Sequence, residues 1–246
     1  MSDLRLCVIS LRYSSWSMRP WLVLQHAGAD FVTETAAVEL GRQTAASGDD
    51  AARAKAARES VRARRTQGSV TGLFPVLHVD GTPIHESLAI CEWVNEAYPA
   101  AGLYPDSPLQ RAQARALSCE MVSGFSNLRT HMSCHLFGRV PRFQPNAATL
   151  LEVERVFELW RSALERSGGP FLFGRFGIVD AMFYPVRTRF LSYGVALPAA
   201  LEPYAQALDQ LPAVRALHAR ARQDPAIPAY DEYLRSLGGD PTAALA

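Results

Sequence analysis

Residues 71–94 constrain the chain more than any other stretch: they read as loop, proline, strand, Asp-Gly turn, short strand and amphipathic helix. Val76, Leu77 and Val79 supply the first strand, and Asp80-Gly81 is the strongest short hairpin signal a sequence offers. Pro75 stands at the start of that strand, where its missing N–H costs least. A cis bond before it would turn the Phe74 backbone outward, toward a ligand. Ser87 reads as the cap of a helix whose apolar residues Leu88, Cys91, Val94 and Tyr98 recur at steps of three and four.

Upstream, Leu4 to Leu11 is a β-rich run that ends in the polar loop Arg12–Ser17. A helical stretch follows to His26, Gly28 stops it, and Phe31 to Val38 resumes strand character. The segment from Gly41 to Ser69 is rich in Ala and Arg and holds Arg53, Lys55, Arg58, Arg62, Arg64 and Arg65. It reads first as a solvated surface helix and second as a basic rim for an anionic ligand. The order β-α-β, helical segment, β-β-α predicts a small α/β domain over residues 1–99.

Residues 100–108 are turn-rich and bounded by prolines, which makes them a linker. Residues 109–236 read as all-helical, beginning with one long helix or a broken pair over Gln110–His135. Leu150, Val153, Phe157, Trp160 and Leu164 give the cleanest amphipathic helix, and Asp180–Tyr193, Leu201–Leu208 and Val214–Arg222 add three more. Residues 237–246 are small and polar enough to fray.

Composition excludes several classes. Among 246 residues the net charge is +1, which gives no support for a nucleic-acid or membrane-surface partner. No apolar run approaches the ~20 residues of a membrane span, and the first residues lack a signal-peptide core, so a cytoplasmic protein is expected. Cys7, Cys91, Cys119 and Cys134 show no CxxC spacing, so neither a disulfide framework nor a redox motif is expected. His131, Cys134 and His135 would share one helix face, but no nearby fourth ligand completes a zinc site, and none is expected. His85 reads as a packing residue, and no Gly-x-Ser-x-Gly elbow supports a hydrolase.

Three features converge on the first domain. The hydroxyls of Tyr13-Ser14-Ser15-Trp16-Ser17 lie beside the N-terminus of the first helix. Phe74-Pro75 offers backbone hydrogen bonds of the kind an extended peptide uses at a sheet edge. Glu86-Ser87 opens a further helix, whose free N–H groups and dipole favour a carboxylate. A peptide-like ligand with an acidic end and a central reactive group satisfies all three.

On residues 13–22, 72–77 and 84–90 the chain resembles the cytosolic glutathione transferases, and its Ser-Ser-x-Ser motif and Ile-His-x-Ser-Leu-Ala-Ile run are nearest the zeta class, which includes maleylacetoacetate isomerases. The resemblance implies a thioredoxin-like α/β domain followed by an all-α domain. It implies that Ser14 or Ser15 hydrogen-bonds the glutathione sulfur, with Trp16 adding an aromatic wall. Phe74, before the family's cis-proline Pro75, would pair with the cysteinyl unit; Glu86 and Ser87 would hold the γ-glutamyl amino and carboxylate groups. Met121, Phe125 and Arg129 are candidate walls for the second substrate, Arg129 suiting an acidic one.

Lowering a thiol pKa from ~8.5 by about two units requires ~2.7 kcal/mol. One charge-assisted hydrogen bond contributes on the order of 1.5–3 kcal/mol and a helix N-terminus roughly 0.3–1. Together they suffice. The sequence departs from the zeta pattern at Glu86, where the class has Gln, at Gly177, which heads a capping box closed by Asp180, and at Ser192, near the class's helix arginine. The expectation is a serine-type glutathione transferase, a homodimer that adds glutathione to a small electrophile by conjugation or isomerisation. The alternative is a non-catalytic module of the same fold that binds proteins or hydrophobic ligands.

Overall fold

The computed structural model describes residues 2–36 and 50–245, except for the side chains of residues 50–57. The side chains of Arg53 and Lys55, residues 41–49 of the basic segment, and the end of the strand expected to reach Val38 therefore lie outside what is described.

Among the described residues four strands form one sheet in the order β2-β1-β3-β4. β1 (Leu4–Val8) runs parallel to β2 (Val32–Thr35) and antiparallel to β3 (Val76–Val79), which pairs with β4 (Thr82–His85). Asp80 and Gly81 both take positive φ, 49° and 82°, the conformation that a two-residue turn matching the strand twist requires. α1 (Ser15–His26), α2 (Asp50–Thr66) and α3 (Ser87–Ala97) complete this half. Gly28, with φ 70°, follows the end of α1 as a left-handed stop.

The second half is helical: α4 (Pro108–Ser123), α5 (Ser126–His131), α6 (Ala147–Ser167), α7 (Ile178–Ser192), α8 (Glu202–Gln210), α9 (Pro212–Ala221) and α10 (Pro228–Ser236). The stretch expected over Gln110–His135 is a broken pair, because Gly124 ends α4 in extended backbone and Phe125 turns left-handed at φ 58°. Along α6 the buried stripe is Val153, Val156, Trp160 and Ala163, while Leu150 remains 46% exposed. His85, read as a packing residue, is exposed on strand β4.

α1 is the keystone. It packs against α3 in its own half and against α7 and α9 in the other, within one continuous apolar core. Pro20 inside α1 has no N–H to return to the Trp16 carbonyl four residues back. The Ser87 hydroxyl takes that place, donating to the Trp16 oxygen at 2.9 Å and tying the start of α3 to the first turn of α1.

The C-terminal segment overturns two expectations. α10 has no counterpart in the sequence reading, since only Asp231 and Leu234 of its residues are buried. Residues 238–245, read as a fraying tail, are docked: Asp240 exchanges backbone hydrogen bonds with Arg139, and the Ala244 amide donates to the Phe137 carbonyl at 2.9 Å. Backbone pairing of this kind holds a terminus that composition alone leaves loose.

Candidate functional site

The loop between β1 and α1 is fixed at both ends. The Ser14 amide donates to the Ser10 carbonyl at 3.1 Å. Ser14 is the N-cap of α1, its backbone extended at φ −86°, ψ 97°. Its Oγ accepts from the Ser17 amide at 3.3 Å and from the Ser17 hydroxyl at 2.9 Å. With both lone pairs engaged, the Ser14 O–H is left to donate to a group outside the helix. Ser15 differs: it is buried, and its Oγ accepts from Arg189 Nη2 at 3.5 Å, across the boundary between the two halves.

The Phe74–Pro75 peptide is cis, and both residues are buried at the entry to β3. Glu86, with φ 79°, is the N-cap of α3; its carboxylate accepts from the Leu88 amide at 2.9 Å and the Ala89 amide at 3.2 Å. The cap expected of Ser87 therefore belongs to Glu86, because Ser87 already sits in the first helical position with its hydroxyl turned to Trp16. That bond places the openings of α1 and α3 side by side.

Of the expected wall residues, Met121 has no exposed surface and Phe125 packs edge-to-face on Phe183 at 6.3 Å. Arg129 is half-buried, with its guanidinium 5.4 Å from the Trp16 ring centroid. Arg19 covers the same ring at 4.2 Å. Burial and the neighbouring Arg189 and Arg129 charges push Arg19 down to about 9.

A carboxylate pair from the C-terminal segment braces the serine loop. Asp224 accepts from the Leu11 amide, from Ser10 Oγ at 3.2 Å and from Thr35 Oγ1 at 3.1 Å. Asp231 accepts from Tyr13 Oη at 2.8 Å and from His135 Nε2 at 2.9 Å. His135 Nδ1 accepts the Gly138 amide at 2.8 Å, so the ring is neutral with its proton on Nε2, and burial holds its pKa below the ordinary value. His131 and Cys134 point to other partners, Thr149 and the Met18–Thr188 neighbourhood, so the three side chains do not converge. Sequence reasoning missed Asp224 and Asp231, whose partners Ser10 and Tyr13 lie 214 and 218 residues away, and noted Arg189 only as standing a turn before Ser192.

Residues 13–97 match the family model described as glutathione S-transferase, N-terminal domain. That match covers the domain that carries the site. Curated relatives include a probable maleylacetoacetate isomerase of Caenorhabditis elegans, 46% identical over 22% of this chain and 25% of its own length. A maleylacetoacetate isomerase of Rhizobium meliloti is 43% identical over 31% of this chain and 33% of its own. Glutathione S-transferase omega-1 of Rattus norvegicus is 29% identical over 46% of each. The chain thus spans between a quarter and about half the length of these relatives.

Solved structures extend the likeness over the helical half. A glutathione transferase homolog from Burkholderia, with bound glutathione, aligns over 90% of this chain and all of its own, with TM-score 0.63 and 24% identity. A theta class glutathione S-transferase from Xanthomonas axonopodis pv. citri, also with glutathione bound, aligns over 92% and 100%, with TM-score 0.59 and 19% identity. The described residues therefore have the glutathione transferase fold, a thioredoxin-like domain joined to a helical one. Among the described residues no helix is long and apolar enough to cross a membrane.

Proposed function

We propose that the protein is a serine-type glutathione transferase in which Ser14 stabilises the thiolate of glutathione for attack on a small electrophile. The observation that carries this reading is the Ser14 hydroxyl, partly open at the N-terminus of α1, with both acceptor positions filled from Ser17. Such a hydroxyl is a pre-set donor, and the helix dipole adds to it. Ser15, buried and turned to Arg189, is not the group that meets the sulfur.

Glutathione lies as a short extended strand beside Phe74–Pro75, as peptides do on sheet edges. Its γ-glutamyl amino group meets the Glu86 carboxylate, and its carboxylate meets the remaining free amide at the start of α3. Trp16 and Arg129 border the second substrate, and Phe125 sits behind them; Met121 supports this wall from within the core. No general base is needed, because the nucleophile is the thiolate of the co-substrate. Conjugation and glutathione-dependent isomerisation share this first step, and the isomerases among the relatives favour including the second. The protein acts in the cytoplasm as a homodimer, the reading that its family resemblance supports.

Calorimetry with glutathione tests the proposal. Micromolar to millimolar affinity is expected, together with turnover of an electrophilic acceptor that Ser14→Ala lowers far more than it lowers binding. A protein with no heat of binding and no retention on immobilised glutathione is instead the non-catalytic module.

A further inference from the structure

Three guanidinium groups crowd the junction where α1 begins; among the described residues Arg129 alone of them feels a carboxylate, Glu152, whose oxygens already accept the Asn127 and Leu128 amides. Arg19 is fully buried; its Nε donates to the Met182 carbonyl at 2.9 Å, while Nη1 and Nη2 have no hydrogen-bond partner. Arg189 is 3% exposed and donates to the Met132 carbonyl at 2.7 Å, the Pro185 carbonyl at 3.0 Å and Ser15 Oγ at 3.5 Å. Arg129 donates to the Val122 carbonyl at 3.1 Å and stacks on Trp16. Among the described residues no carboxylate forms an ion pair with any of the three. Buried charges are ordinarily paired, so a cluster of one sign marks a place where a negative charge arrives from outside.

We infer that Arg189 is a positioning residue for the glutathione thiolate, holding its charge at the first turn of α1 through the Ser15 hydroxyl. The inference rests on the proposed function and assigns the thiolate's electrostatic support to the helical domain as well as to Ser14. Two carbonyls, from Met132 after α5 and Pro185 in α7, fix two edges of the guanidinium, so only its third edge reaches across the boundary. Charged and titratable groups facing it are Arg19 of α1, Arg129 of α5, Tyr193 after α7 and Tyr230 of α10, with the Cys134 thiol alongside. No carboxylate is among them. The one carboxylate at the neighbouring helix opening, Glu86, is bound to its own cap amides. A thiolate formed at Ser14 is therefore the anion the cluster lacks. The proton it loses passes to solvent.

The test is the thiol pKa of bound glutathione, read from ultraviolet thiolate absorbance in wild type, Arg189→Gln and Arg189→Lys. Gln keeps a donor for the carbonyls and removes the charge; Lys keeps the charge. The expected result is a pKa about one unit higher in Arg189→Gln, a tenfold loss of thiolate below it, and a value within about half a unit of wild type in Arg189→Lys. Affinity for glutathione at about pH 6, where the free thiol is protonated, changes less than about twofold in both variants. Equal pKa values in wild type and Arg189→Gln, or equal impairment by Gln and Lys, overturn the inference and leave Ser14 in place. Failure of the wild type to bind glutathione overturns both. Should Arg189→Gln not fold, Ser15→Ala decides: it removes the hydroxyl through which Arg189 acts, so a bound-thiol pKa raised by about half a unit supports the inference and one equal to wild type overturns it.

Discussion

Two adjacent serines with the same chemistry have opposite environments, and the backbone decides which does what. Ser14 lies in extended conformation just before the helix, Ser15 in its first turn facing the other domain. On the proposed reading, Ser14→Ala removes one charge-assisted hydrogen bond, so kcat near neutral pH is expected to fall by about 10–100-fold, corresponding to ~1.5–3 kcal/mol. Glutathione affinity, measured by calorimetry, changes little. Ser15→Ala has the smaller effect of the two in the same steady-state assay. The pair Ser14-Ser15 stood out in the sequence, yet nothing local distinguished them; the distinction comes from Arg189, far along the chain.

His135 gives a prediction of a different kind. Its folded pKa is depressed, so its stabilising contribution is present above the unfolded value of ~6.5 and is lost as pH falls through the folded one. His135→Gln therefore costs most above about pH 7, and the gap in urea midpoint between wild type and variant narrows on acidification. Asp180 acts in the other sense: burial pushes it up to about 7, so its contribution declines as pH rises toward neutrality.

Among the elements, the joint between α1 and α3 depends on a proline in the wrong place for an ordinary helix. Pro20 leaves the Trp16 carbonyl open, and Ser87 closes it. Ser87→Ala is expected to cost about 1–3 kcal/mol by leaving a buried acceptor unpaired. Pro20→Ala restores a helical N–H for that acceptor, so the double variant loses less than Ser87→Ala alone. A double-mutant cycle in chemical denaturation checks the coupling.

The start of α7 shows what sequence reading could and could not see. Gly177 was legible as a cap lacking its side-chain acceptor, and Asp180 does accept the Gly177 amide at 2.9 Å. The reason for glycine was not legible: a Cβ there would lie 2.5 Å from the Leu103 carbonyl oxygen, in the segment that joins the halves. Gly177→Ala should accordingly lower the thermal midpoint despite its better helix propensity. The hairpin at Asp80-Gly81 was readable because its signal is local, whereas the residues alone left the bond before Pro75 open and the cis expectation came from the resemblance. The cap at Glu86 was misplaced by one residue because Ser is the commoner cap and its hydroxyl had a distant partner.

At the scale of the molecule, the chain's far end holds its beginning. Asp224 and Asp231 brace residues 10–13, and Arg12 Nη2 donates to the Pro241 carbonyl at 3.3 Å. α10 escaped sequence reading because its inward groups include a carboxylate, which hydrophobic periodicity does not count. Asp224→Ala strips acceptors from the Leu11 amide and two hydroxyls and leaves Arg220 without its ion pair at 2.8 Å. A loss of roughly 3 kcal/mol or more is expected by denaturation, with turnover falling further than glutathione affinity.

That clasp also sets an order of events during synthesis. The strand, loop and helix that carry Ser14 leave the ribosome well before Asp224 and Asp231, which fix the loop. A nascent chain can complete its sheet and bury most of its core while the serine hydroxyl still lacks a settled direction. On the proposed reading, competence to activate a thiol waits until those two carboxylates have emerged and closed on the loop.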